Sequence, residues 1–79
     1  MSAAATRYRK QQGSAFDLRV EALGTLDLFW PLTPAGRAWL RENTSGEATW
    51  YGDALVVERP YVDDLVQGAM DGGLGVRRA

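Results

Sequence analysis

The chain contains no cysteine and no histidine. The first absence removes disulfides and thiolate metal sites, so a hydrophobic core has to hold the fold without reinforcement. The second removes the commonest general base together with the commonest metal ligand. Lysine occurs once, at Lys10; the other eight basic residues are arginine. No apolar run approaches the roughly 18–20 residues of a membrane-spanning helix. Met1 to Ala15 lack the apolar centre of a signal peptide. These absences lead us to expect a cytoplasmic protein with no membrane contact, no metal and no cofactor.

What is present fits one small domain. Seventy-nine residues make a single unit, which buries only about 60–65% of its unfolded surface. Residues 1–14 are polar and aperiodic, and read as a flexible basic tail with Arg7, Arg9 and Lys10 around Tyr8. Residues 15–79 read as one compact α+β domain. The net charge of −1 is unevenly spread. Residues 1–41 carry six basic and three acidic side chains, whereas residues 42–71 carry seven acidic side chains and only Arg59 as a base. Block asymmetry of this kind points to a charged partner more than the net value does.

The apolar pattern begins with period two. Phe16, Leu18, Val20 and Ala22 alternate with Asp17, Arg19 and Glu21, a half-buried strand. Leu26, Leu28 and Trp30 alternate with Asp27 and Phe29 in a second strand. A two-residue loop at Gly24-Thr25 would pair Glu21 with Leu28 and set charge on the apolar face. A three-residue loop from Leu23 to Thr25 pairs Ala22 with Leu26 and Val20 with Leu28, and is the expected register. Pro31 ends the strand. Thr33-Pro34 opens a helix with a hydroxyl cap and a proline at its first position. That helix runs to about Asn43, with Ala35, Ala38 and Trp39 inward and Leu40 on the shoulder. A hairpin about Gly52-Asp53 follows, with Trp50 facing Leu55 and Val57 on the same side. The runner-up there is one bulged strand over residues 49–58. Arg59-Pro60 opens a second helix, in which Val62, Leu65, Val66, Ala69 and Met70 form the inner stripe. Gly72-Gly73 closes it, with Leu74 folding back and 74–77 available as an edge strand. The expected fold is therefore α+β: a small antiparallel sheet of two hairpins in ββα-ββα order, with both helices packed on one face.

Few residues offer chemistry. Asp63-Asp64 is an adjacent acid pair, but neighbouring helical residues diverge by about 100°, and acids in a first helical turn complement the helix dipole. No serine has a base, and Gly72-Gly73 closes a helix where a phosphate loop would open one. No catalytic residue and no metal ligand is assigned, and the protein is not expected to be an enzyme. Trp30, Trp39 and Trp50 fall on buried parities, which leaves Phe29 and Tyr51 for a partner surface or the far side of the sheet. The remaining candidate is acidic. Glu58, Asp63, Asp64, Gln67 and Asp71, with Asp53, are expected to form a negative strip suited to a basic groove.

The run from Leu32 through Thr33-Pro34-Ala35-Gly36-Arg37-Ala38-Trp39 to Leu40, followed by Trp50-Tyr51-Gly52-Asp53-Ala54-Leu55-Val56-Val57-Glu58 and the helix through Leu74, resembles small phage and prophage proteins. In size and pattern it is similar to anti-CRISPR proteins that act on type I systems, the I-C branch included. The resemblance covers about residues 16–76. It implies a stoichiometric inhibitor in the bacterial host cell, a monomer or weak homodimer. Such an inhibitor binds subunits of the RNA-guided surveillance complex (Cascade) and blocks target DNA binding or nuclease recruitment; the acidic strip suggests the first route, docking on the basic DNA-binding surface as a DNA mimic. That class shares no common fold and no common functional residues, so the resemblance assigns no site. Free nucleic acid is not an expected partner under it. Two alternatives stand beside it: a DNA-binding protein using Arg7, Arg9, Lys10, Arg77 and Arg78, and an antitoxin-like module pairing through Phe29, Tyr51 or a strand edge.

Overall fold

The computed structural model describes residues 15–78; the basic tail expected over 1–14 lies outside them. Strand β1 (Leu18–Leu23) turns back into β2 (Leu26–Pro31), and helix α1 (Pro34–Glu42) follows. A hairpin of β3 (Thr49–Tyr51) and β4 (Ala54–Glu58), a single 3-10 turn (Arg59–Tyr61), helix α2 (Val62–Asp71) and β5 (Val76–Arg78) complete the domain. The strands form one sheet in the order β3-β4-β2-β1-β5. The α+β class is as the sequence indicates, with two departures. Strand β5 pairs parallel with β1, so the sheet is mixed, not wholly antiparallel. The second helix begins at Val62, because Arg59 to Tyr61 tighten into the 3-10 turn first.

The β1–β2 register is the one that the alternation argument set aside. Leu23 pairs with Leu26, Glu21 with Leu28 and Val20 with Phe29 across a two-residue loop, Gly24-Thr25. Gly24 takes a φ of 64° and Gly52, in the same place in the β3–β4 turn, takes 59°. A left-handed first residue matches the right-handed twist of the flanking strands, and glycine reaches it without a Cβ clash. The turn chemistry therefore outweighs the preference for one uniform apolar face. The charge that seemed misplaced is absorbed locally, since the Trp30 indole N–H donates to Glu21 Oε1 at 2.9 Å. The β3–β4 hairpin has the expected register, with Trp50 opposite Leu55.

Both helices lie on one face of the sheet. Thr33 caps α1, its hydroxyl accepting from the Gly36 N–H at 3.1 Å, and Pro34 occupies the first turn. The inner side of α1 is Gly36 and Leu40, four apart, while Ala38 is exposed. The expected stripe is thus rotated, because Gly36, which offers no apolar side chain to count, sits against the Asp17 backbone. In α2, Val62, Val66 and Ala69 are buried, Leu65 is half-buried and Met70 is exposed. The α2 terminus closes as a Schellman motif, with Gly73 N–H donating to Met70 O and Leu74 N–H to Ala69 O. These side chains join Leu18, Val20, Phe29, Leu55 and Val57 in the core, with Trp39 and Leu74 packed against its margin.

Candidate functional site

The expected acidic strip is divided among three places. Asp63, Asp64, Gln67 and Asp71 stand exposed on the outer side of α2. Asp63 accepts from Arg78 at 3.0 Å, and Asp71 accepts from Gln67 at 2.9 Å. Asp53 lies in the β3–β4 turn, at the opposite edge of the sheet from β5, and pairs with Arg37 of α1 at 3.0 Å. The hydrogen bond from Arg37 and its charge hold the Asp53 carboxyl below its ordinary range, and the hydrogen bond to Asp53 and the Asp53 charge raise the Arg37 guanidinium in turn. Glu58 ends β4 opposite Leu26, on the face of the sheet that the helices leave bare. Alternation along β4 separates it from α2, because successive side chains point to opposite faces.

That bare face is the feature that sequence reasoning missed. Leu23, Leu26, Leu28, Trp30 and Val56 fall on it by register, together with Tyr51 of the edge strand. Leu28 forms its floor at 5% exposure, whereas Tyr51 is 65% and Leu23 50% exposed. The six enclose a shallow hollow with Glu21 at its margin. Trp30 is its centre. Its ring meets Tyr51 edge-on at 6.2 Å, and the Arg19 guanidinium stands 5.8 Å from its centroid. Arg19 pairs in turn with Arg77 of β5, so one row runs from aromatic to basic across the sheet. Phe29, expected on an outer face, is fully buried under the helices, and Trp30, expected inside, takes the bare face. The signal was present: β2 reads Leu-Asp-Leu-Phe-Trp, a nearly continuous apolar run of the kind that is apolar on both faces. Trp50 belongs to the helix side but is 40% exposed.

Among the described residues two carboxylates are buried, and both are structural. Asp17 accepts from the Thr33 hydroxyl at 2.7 Å and from the Gly75 N–H at 3.0 Å, which ties β1 to the start of α1 and to the chain entering β5. Asp27 accepts from Arg59 Nε at 2.9 Å, and the same guanidinium donates to the Gly24 carbonyl, clamping the first hairpin turn. A cleft between α1 and the β3–β4 turn is lined by Arg37, Arg41, Trp50 and Asp53. Among the described residues no group of three or more metal-ligating side chains converges, and no helix is long and apolar enough to cross a membrane.

These observations define a small α+β domain whose distinguishing surfaces are a bare, aromatic-centred sheet face and an acidic helix on the other side. No protein-family model matches the chain, and neither a curated protein nor a solved structure matches it.

Proposed function

We propose that the chain acts by binding, as a stoichiometric inhibitor of the anti-CRISPR kind that its sequence resembles. It presents the outer side of α2 to a basic, DNA-binding surface of a type I surveillance complex. One observation carries the reading: α2 bears three carboxylates and no basic residue, and all three are exposed. A helix rises about 5.4 Å per turn, so Asp64, Gln67 and Asp71 span close to two turns, a spacing that can follow a row of phosphate-binding arginines or lysines. Complementary charge of this kind raises association rate and selects partners. Asp53 and Glu58 stand outside this surface. Asp63 is its least available member, since Arg78 already pairs with it.

The test is target-DNA binding by a purified type I surveillance complex with added protein. Wild type should suppress it. The Asp64→Lys, Gln67→Lys, Asp71→Lys triple variant should need at least about tenfold more protein, equivalent to about 1.4 kcal/mol. Equal suppression by that variant, folded by circular dichroism, would overturn the reading. A second reading, an antitoxin-like pairing module, is favoured by the bare sheet face, and a stable complex with a co-encoded protein would support it.

A further inference from the structure

We propose that a second copy of this chain covers the bare sheet face, forming a two-fold dimer by sheet-on-sheet packing. The apolar centre of the face needs cover. Leu23, Leu26 and Tyr51 are exposed around half-buried Trp30 and Val56, and contiguous apolar patches of this kind mark interaction sites.

The occupant follows from how the rim is arranged. Along one row the face runs from Tyr51 at the β3 edge, through Trp30 on β2, to Arg19 on β1 and Arg77 on β5. The central strand of the sheet is β2. A two-fold axis along β2 reverses the order of strands in the second copy. It sets Tyr51 of each copy over Arg77 of the other and brings the two Trp30 rings together at the axis. A guanidinium over a tyrosine ring is attractive, and the pairing occurs twice by symmetry. The face is thus complementary to itself.

Size agrees. Three central strands carrying three side-chain rows about 7 Å apart, flanked at about 4.8 Å by short edge strands that add one or two side chains each, give, with side-chain reach, a footprint of roughly 500 Å². Two copies then bury on the order of 1,000 Å², the lower bound for a specific interface, so the dimer is a weak one. Pairing through the edges is the poorer alternative, because β3 and β5 are only three residues long and offer few backbone hydrogen bonds. Dimerisation by the bare face leaves both α2 helices pointing outward, so each dimer carries two acidic surfaces. The inference does not depend on what those surfaces bind.

Sedimentation velocity of the full chain over a micromolar-to-millimolar dilution series tests it. Wild type should rise from monomer mass toward twice that mass. Leu26→Glu and Tyr51→Glu, each at an exposed position and each checked for native circular dichroism, should stay at monomer mass throughout. Wild type that remains monomeric at the highest concentration overturns the proposal, and so does dimerisation that survives both substitutions. Monomeric wild type whose binding of another protein is lost in Leu26→Glu would assign the face to that protein and equally reject the second copy.

Discussion

The two faces of the sheet are built from the same strands and each has an apolar centre, yet only one of them is covered. On the covered face, Leu18, Val20, Phe29, Leu55 and Val57 lie under two helices and are nearly inaccessible. On the bare face Leu28 and Ala54 are also buried, but Leu23, Leu26 and Tyr51 are exposed and Trp30 and Val56 only half-buried. Neighbours in sequence therefore belong to different energetic classes. Phe29 is wholly buried and Trp30 only in part. The covered face supplies folding energy; the bare face leaves apolar area open, which the proposed dimer would bury.

The sharpest way to break the covered face is Gly36→Ala. A methyl group there would lie 2.1 Å from the Asp17 carbonyl oxygen, with the Leu18 side chain also in contact. Helix α1 would have to lift from β1. Overpacking against backbone costs about 3 kcal/mol or more, out of a total of roughly 3–10 kcal/mol for a domain this size. Urea denaturation should show the midpoint collapsing, with part of the population unfolded in water. A midpoint close to wild type would mean that α1 is not fixed on β1 as described.

The comparison itself is measured by adjacent substitutions. Phe29→Ala should cost about 3–5 kcal/mol, as for a buried aromatic. Trp30→Ala should cost only about 1–2 kcal/mol, through its contacts with Tyr51 and Arg19. Equal losses in thermal or urea unfolding would show the bare face to be as much a part of the core as the other. Next in size is Asp17→Asn. The amide NH₂ would then either face the Gly75 N–H or take the place of the acceptor of the Thr33 hydroxyl proton, and in each orientation one donor loses its acceptor. A buried donor without an acceptor costs about 1–3 kcal/mol, and the loss should appear with β5 and α1 loosening together in hydrogen exchange.

Much of the covered side was legible from local rules. The Thr33-Pro34 cap, the Gly52 turn and the Val62–Val66–Ala69 stripe each depend on residues within one or two turns of chain. The bare face was not, for a reason that β2 makes plain. Period-two reasoning assumes one wet face, and a strand that is apolar on both sides carries no parity signal. The register then depended on Gly24, whose left-handed φ selects the shorter loop. The acidic strip failed in part for a similar reason. Asp53, Glu58 and Asp63 are close in sequence, but a turn, a strand end and a helix send them to different sides. Clamps such as Asp17 to Thr33 and Arg59 to Asp27 join residues 16 and 32 apart, and nothing in the local sequence announces them.

The smallest effect concerns the rim, where α1 meets the edge hairpin through Arg37 and Asp53. The carboxyl of Asp53 is held below its ordinary range first by the hydrogen bond from Arg37, then by the Arg37 charge, with Arg41 adding to it. Its folded-state pKa is therefore lower than in the unfolded chain. Between the two values the unfolded state binds more protons, so acidification favours unfolding. The stabilisation is present in full above the ordinary carboxylate range and is lost as pH falls through the depressed value. Both side chains are well exposed, so the contribution is small and screened by salt. Asp53→Asn should lower the urea midpoint slightly near neutral pH, and the gap from wild type should close in acid and in high salt. A gap that stays constant through the acid range would mean that the helix layer is held to this edge by apolar burial alone, which would sharpen the contrast between the covered face and the bare one.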